Sequence, residues 1–265
     1  MSDLGILDWP GILFGLVNDV LLLVLPLPVT LVFWAALSGW ATMWVYRATS
    51  NQDKLAALKP QVKAVQDKLK RYDGEFSGLI PLIKENFRLS GRHIGLAIGP
   101  ALIAGIPVLF VLVWGSNEFG AHFPEGGARV NVEVSSDSIE RDADNWRWVG
   151  TESRHLPSAV DEPLRWRLVW PDDTARLETA DGEAALELPL ETPAPIIHER
   201  RWWNLLIGNP AGYLSDDNPA DTVRMGLPSH EILPVGPGWM RGWLFTYFVV
   251  LIAVSLGFKF YWKVH

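Results

Sequence analysis

Three long apolar runs dominate the pattern of hydrophobic and polar positions along the chain. They cover approximately Leu21 to Tyr46, Ile94 to Trp114 and Trp239 to Phe260. Each reaches the roughly 20 residues that a helix needs to cross a hydrocarbon core of about 30 Å. A buried helix of a soluble protein would show a polar stripe, and these runs show almost none. The pattern therefore predicts three transmembrane helices.

Two interpretations are open for residues 5–24, which lead into the first run and place Asp8 and Asp19 among aromatic and aliphatic side chains. In the first interpretation, the segment forms a short helix that lies on the membrane surface. Alternatively, it extends the first span, with Pro26 and Pro28 producing a kink.

A helical hairpin is predicted between the first and second runs. Apolar residues recur there in alternating steps of three and four, which is a heptad pattern, and Asp73-Gly74 marks a turn. Pro60 falls inside this pattern, either in an early helical turn or at a kink. The predicted seam consists of Leu55, Leu58, Val62, Val65, Leu69, Tyr72, Phe76, Leu79 and Ile83.

The segment between the second and third runs has the period of two that is typical of β-strands. In residues 163–171, for example, Arg165 and Arg167 alternate with Trp166, Leu168 and Trp170. Several short strands separated by Asp, Gly and Pro predict a small β-sandwich. Residues 196–233 are expected to be rich in loops, with one short helix as an option. The five predicted strands are 128–136, 145–150, 163–171, 175–179 and 184–191.

The charges are strongly segregated, and this segregation predicts the topology. Between Arg47 and Arg92 there are ten basic and five acidic residues, whereas 115–238 contains ten arginines, no lysine and twenty-two acids. By the positive-inside rule, the hairpin and the C-terminal tail are cytoplasmic and the acidic segment is outside. Three spans then place the N-terminus outside as well. In a bacterium this corresponds to a multi-pass protein of the inner (plasma) membrane.

No pattern of catalytic or metal-ligating residues is present. His198-Glu199 begins like a zinc-protease helix, but no second histidine stands four positions after the first. The six histidines are dispersed and the chain has no cysteine, so thiolate sites are excluded. No acid or base lies near the middle of a span, which disfavours a pump or transporter. We expect no enzymatic activity, no metal, no cofactor and no nucleic-acid partner.

The small and polar residues of the spans have two interpretations. Ser38 and Thr42 share a helix face with Ala35, and small residues such as Gly95 and Gly99 recur through the second span. They allow close helix packing, or they form the wall of a shallow polar groove. Likewise, Arg47 is either an anchor to lipid phosphates or part of a positively charged vestibule.

The hairpin and the second span resemble the YidC/Oxa/Alb membrane-insertase superfamily. The residues that carry this resemblance are Leu58-Lys59-Pro60-Gln61-Val62, Leu69-Lys70-Arg71-Tyr72, Pro100 and Ile106-Pro107-Val108-Leu109-Phe110. Three spans with an external N-terminus look more like the reduced members of this superfamily, namely the archaeal insertase-like proteins and the third subunit of the endoplasmic-reticulum membrane protein complex. Two features depart from the pattern: no arginine lies in mid-span, and a large external domain separates the second and third spans.

The resemblance implies an insertase or chaperone-like protein that assists the insertion or assembly of membrane proteins. Its expected partners are the lipid bilayer and hydrophobic client segments or a partner membrane protein. We expect Ser38, Thr42, Arg47, Lys59 and Lys63 to bind the client. The alternative is a non-catalytic structural or assembly subunit that forms a stable complex through its external domain.

The expected fold class is an integral membrane α-helical protein, with three transmembrane helices and a cytoplasmic coiled-coil hairpin, into which an extracytoplasmic β-rich, sandwich-like domain is inserted. The domain boundaries follow from the runs described above. They are an external interfacial segment (1–19), span 1 (20–47), the hairpin (48–92), span 2 (93–114), the β-rich domain (115–237), span 3 (238–261) and a cytoplasmic tail (262–265).

Overall fold

A computed structural model describes residues 4–136, 143–158 and 162–264. Parts of three predicted segments lie outside these residues: 1–3 of the N-terminal segment, 137–142 and 159–161 of the β-rich domain, and 265 of the tail. The chain divides into two compact units. The β unit comprises Met1–Val24 and Leu112–Trp243, and the helical unit comprises Leu25–Val111 and Leu244–His265.

The described residues contain three helices that are long and apolar enough to cross a membrane, which indicates a membrane protein. These are α2, α4 and α6, and they contain most of the three apolar runs seen in the sequence; the first run begins at Leu21 in α1 and the third at Trp239 in α5. The helices are α1 (Gly11–Leu22), α2 (Leu27–Thr49), α3 (Gln52–Lys70), α4 (Phe76–Glu118), α5 (Gly238–Arg241) and α6 (Trp243–Tyr261).

The segment before the first span forms a separate helix, α1, and is not a continuation of α2. Pro26 explains the break, because a proline disfavours helical geometry at the residue before it and lacks the N–H that would continue the helix. Pro28 then occupies the first turn of α2, where a missing N–H costs nothing. Within the β unit, α1 packs against the end of α4: the rings of Phe14 and Trp114 have centroids 5.7 Å apart.

The hairpin residues form α3 and the first part of α4, joined by residues 71–75. The Asn51 side chain caps α3 by accepting a hydrogen bond of 3.1 Å from the Lys54 N–H, and α3 continues through Pro60 without ending. Leu58 and Val65 are buried together with Leu89 of α4, and this small core also contains Val62, Leu69 and Leu96.

The seam of the second arm differs from the one expected. Phe76 is 74% exposed, because it stands at the first residue of α4, beyond the last packed turn of α3. The other two predicted seam residues, Leu79 and Ile83, are half-buried, and the core with α3 also includes Leu89 and Leu96, farther along the helix. No break separates the hairpin arm from the second span, since α4 is one helix from Phe76 to Glu118 with Pro81, Pro100 and Pro107 inside it.

The described β-strands form two antiparallel sheets. In the five-stranded sheet the order is β3-β4-β1-β8-β7, and in the three-stranded sheet it is β2-β5-β6. The strands are β1 (Arg129–Ser135), β2 (Trp146–Val149), β3 (Ser153–Leu156), β4 (Leu164–Val169), β5 (Ala175–Thr179), β6 (Ala184–Leu188), β7 (Ile196–His198) and β8 (Thr222–Met225).

Side chains from both sheets share one hydrophobic core, to which alternate residues of each strand contribute. Val132 of β1, Trp166 of β4 and Leu177 of β5 are among its buried members. Trp166 therefore belongs to the core, while its neighbours Arg165 and Arg167 point outward to Glu133 and Asn131 of the adjacent strand.

Three strands were not expected from the sequence: β3, β7 and β8. The expectation of loops with one short helix over 196–233 is wrong in this respect, because β8 occupies an interior position of the five-stranded sheet, between β1 and β7. Each of the three strands has only three or four residues, which is too short for a period of two to stand out. The same region also contains a short 3-10 helix, Trp202–Leu205.

Candidate functional site

The hydroxyl groups of Ser38 and Thr42, which were predicted to line a groove, form hydrogen bonds with the backbone of α2 itself. Ser38 Oγ donates to the carbonyl of Trp34 at 2.8 Å, and Thr42 Oγ1 donates to the carbonyl of Ser38 at 2.8 Å. A serine or threonine in a membrane helix satisfies its hydroxyl in this way when no other acceptor is offered. The two residues are neighbours on one face, and Ser38 is buried. Both hydroxyl groups thus already donate within α2, and their contact with a client stays a prediction.

The face of α2 that carries Ser38 packs against α6. The Tyr247 phenol lies beside the Ser38 hydroxyl, and Ser255 Oγ donates to the carbonyl of Gly39 at 3.3 Å. A Cβ atom at Gly39 would lie only 2.7 Å from the carbonyl oxygen of Leu251. The small residues of α2 therefore permit close helix packing, which is one of the two interpretations of the sequence pattern.

Arg47 lies in the last turn of α2, where its guanidinium carbon is 5.7 Å from the centre of the Trp262 ring. This is the geometry of a cation–π contact, and it ties the end of α2 to the C-terminal tail. Arg47 stands nine residues after Ser38, about 13.5 Å along the helix axis. It is thus more than two helical turns from Ser38, but only about 7.5 Å along the axis, or about 1.4 turns, from Thr42.

Lys59 and Lys63 are exposed one turn apart on α3. Within the ranges that the structure describes, no hydrogen bond or ion pair links them to Ser38 or Thr42. They belong instead to a larger cationic surface, because all ten basic side chains from Arg47 to Arg92 are exposed and none of them is in an ion pair with a described residue. We call these ten residues the hairpin cations.

The glycines of the second span are not packed against another helix. A Cβ atom built at Gly91, Gly95, Gly99 or Gly105 would meet no atom within 4 Å. The opposite side of α4 carries the buried residues Ala104 and Val111. The sequence showed the four-residue spacing, but it did not distinguish a packed stripe from an open one. We call the surface along Gly91, Gly95 and Gly99 the open face of α4.

The hairpin cations and the open face lie on one continuous helix. Lys84, Arg88 and Arg92 precede Gly95 and Gly99 on α4 without a break. Only 11% of the most apolar stretch of α4 is buried, the same share as in α6, against 39% for α2. A polypeptide segment with a negative or polar end followed by an apolar stretch would complement the hairpin cations and the open face in that order.

Among the described residues, no group of three or more histidines, aspartates and glutamates is arranged to hold a metal ion. The fold and surfaces define a membrane protein with a β-sheet domain. Comparison of the chain with models of protein families, with curated proteins and with solved structures gives no match.

Proposed function

We propose that this protein is a membrane insertase or insertase-like chaperone, which binds hydrophobic segments of other membrane proteins and helps them into the bilayer. The observation that carries this proposal is the continuity of α4, which joins an exposed cationic hairpin to an unpacked apolar face. The resemblance of the hairpin and second span to the YidC/Oxa/Alb superfamily supports the same function. It also supports a coiled-coil description of the hairpin.

The proposed topology follows from the charges. The hairpin and the tail are on the cytoplasmic side of a bacterial inner membrane, and the N-terminus and the β unit are on the outer side. A client arriving from the cytoplasm then meets the hairpin cations first, including Lys59 and Lys63. These attract an acidic or polar flank of the client and lengthen its stay near the bilayer.

The client path runs along the open face of α4. Glycines at Gly91, Gly95 and Gly99 let a second helix approach closely, which increases van der Waals contact in a medium where hydrophobic driving force between helices is absent. The backbone of the client is satisfied internally once it is helical. In this path Ser38 and Thr42 act as packing residues of α2, and Arg47 positions the tail through Trp262.

Photocrosslinking tests this proposal in cells that make the full-length protein. A photoreactive amino acid replaces Ile98, which is 56% exposed on α4, and in a matched variant it replaces Leu256, which is 48% exposed on α6. Both positions face the surroundings, so lipid contact alone affects them equally. We expect Ile98 to crosslink to several newly made membrane proteins and Leu256 to crosslink to few.

The hairpin is tested in the same assay. Replacing Val62 and Val65 with aspartate places two charges in the core formed with Leu89, and we expect the client crosslinks from Ile98 to be lost. Recovery of one fixed partner from Ile98, unaffected by these replacements, would contradict a general insertase and would favour the alternative of an assembly subunit. Equal crosslinking from Ile98 and Leu256 would contradict the proposal that clients bind along the open face.

A further inference from the structure

The β unit contains a cavity of about 550 Å³ whose lining includes three basic or potentially basic side chains, His198, Arg201 and Arg224. Among the residues that the structure describes, none that lines this cavity is an aspartate or a glutamate. This is unusual for its surroundings, because residues 115–238 contain twenty-two acids and only ten arginines. The cavity is therefore a local cationic site in an acidic domain, and its chemistry suits an anion.

The arginines of this cavity are available to a ligand. Neither Arg201 nor Arg224 is in an ion pair with any residue that the structure describes. Glu133 is the cross-strand neighbour of Arg224, but its carboxylate lies 3.1 Å from Arg165. Arginine side chains bind phosphate oxygens through paired N–H donors, which makes phosphate a strong candidate for the anion.

The loop that supplies Arg201 is held by buried polar side chains, so the cavity wall is preformed. Asn204, which is 2% exposed, accepts from the Arg201 N–H at 2.8 Å and donates to the carbonyl of Ile207 at 3.1 Å. Asn209 donates to the carbonyl of Ile196 at 2.8 Å. Asp8 accepts from the Gly208 N–H at 2.6 Å, which joins the loop to the start of the chain.

An apolar cavity of about 240 Å³ lies next to the cationic one. Leu4, Ile12 and Trp114 contribute to its lining, and it shares Asn117, Gly208 and Pro210 with the cationic cavity. Asp8, the one charged residue among the described residues that line it, is buried and already accepts two backbone N–H groups. A cationic cavity and an apolar cavity with a common wall match the two ends of an amphiphilic molecule.

The two chain segments that contribute to these cavities also carry exposed apolar side chains. Trp202 is 81% exposed and Leu205 62% in the loop, and Trp9 is 76% exposed near the start of the chain. The two segments are linked by a hydrogen bond of 2.9 Å from the Leu7 N–H to the Leu206 carbonyl. Tryptophan and leucine beside arginine are the residues that proteins place at the membrane–water interface. We call Trp9, Trp202 and Leu205 the apolar rim.

We propose that the β unit binds an anionic phospholipid, with the phosphate group in the cavity of Arg201 and Arg224 and the acyl chains along the apolar cavity and the apolar rim. The site is directly connected to the second span, because Asn117 lines both cavities only three residues after Trp114, at the end of that span. An acidic protein segment would match the arginines, but it would leave the apolar rim exposed to water.

Lipid retention by the full-length protein in detergent tests the proposal. Native mass spectrometry measures how much phosphatidylglycerol and phosphatidylcholine of identical chain length stay bound. We expect preferential retention of phosphatidylglycerol by the native protein. Because one basic residue near an anionic lipid surface contributes about a five-fold change in affinity, R201Q/R224Q should weaken this retention about 25-fold. Inorganic phosphate, added separately, should not compete at equal concentration, since it lacks the acyl chains.

A matched control comes from the other side of the same domain. Arg129 and Arg154 line a different cavity that contains Glu152, so R129Q/R154Q changes the net charge equally and should keep the preference. W202S/L205S alters only exposed side chains, keeps the cavity charge and should reduce retention of both lipids. An unchanged preference in R201Q/R224Q, an equal loss in the control pair, or full competition by phosphate would each overturn the proposal. If R201Q/R224Q does not fold, lipid retention by W202S/L205S and the competition with inorganic phosphate still test the proposal.

Discussion

Replacing Gly39 with alanine should destabilise the helical unit, because α2 and α6 meet at this position without room for a methyl group. The new Cβ would lie 2.7 Å from the Leu251 carbonyl oxygen, about 0.7 Å closer than the 3.4 Å at which ordinary contact begins. The atom it meets belongs to a helix backbone and cannot rotate away. Relief requires α2 and α6 to separate, which also weakens the hydrogen bond of 3.3 Å from Ser255 to Gly39.

Overpacking of this kind typically costs about 1–3 kcal/mol, and it exceeds the gain of up to about 1 kcal/mol that alanine brings over glycine in a helix. The open face of α4 provides a control, because a Cβ at Gly95 would meet nothing within 4 Å. Gly95→Ala should therefore be neutral or stabilising by up to about 1 kcal/mol. Replacement of glycine by alanine is thus expected to lower the stability at Gly39 and to leave it unchanged or raise it at Gly95.

The assay is reversible unfolding of the detergent-solubilised protein by a denaturing detergent, followed by the helical circular-dichroism signal. Gly39→Ala should shift the midpoint to lower denaturant and Gly95→Ala should not. Destabilisation by both substitutions would show that the open face of α4 is packed in the folded protein. An unaffected midpoint in Gly39→Ala would refute the close approach of α2 and α6.

Three further predictions concern the hairpin and the β unit. Leu58→Ala removes a buried side chain of the hairpin core and should lower the stability of the hairpin by about 2–4 kcal/mol. Faster amide exchange in α3 would measure this loss. Phe76→Ala, at an exposed position, should change the stability by less than about 0.5 kcal/mol. Burial and the neighbouring ring of His122, whose centroid is 4.9 Å away, lower the pKa of His230 below its ordinary value of 6.5. The unfolded chain therefore binds a proton more readily, so stability should fall as the pH drops below 6.5, and His230→Gln should flatten this dependence in thermal melts. Trp166→Ala empties a core position and should cost about 3–5 kcal/mol in thermal unfolding of the β unit, in contrast to a small effect from replacing the exposed Trp202.

The long elements of this fold could be predicted from the sequence because their patterns extend over many residues. The apolar runs mark α2, α4 and α6, and five of the eight described strands follow from alternation. The strand β8 was missed because Thr222–Met225 lacks the alternating tryptophans of the equally short β2, and it takes its stability from β1 and β7 on either side. The break between α1 and α2 was one of two open interpretations, since a proline indicates a break and a kink equally well.

The candidate site was less predictable for a different physical reason. Ser38 and Gly95 look alike in sequence, as small residues at helical spacing in apolar runs. Their roles depend on what lies opposite: Ser38 is packed beside Tyr247 of α6, whereas the surface at Gly95 is open. Such a difference arises from the arrangement of helices that are distant in sequence. The cationic cavity of Arg201 and Arg224 is likewise formed by two segments whose separation in sequence hides their proximity.

Insertion of a client by the purified protein tests the proposed function most directly. The full-length protein is reconstituted into lipid vesicles, and a short membrane protein with one hydrophobic segment is synthesised in their presence. Protease protection measures the inserted fraction. The proposed function predicts more insertion than in protein-free vesicles, and a return to that background when Val62 and Val65 are replaced with aspartate. Insertion at the protein-free level with the native protein would contradict it.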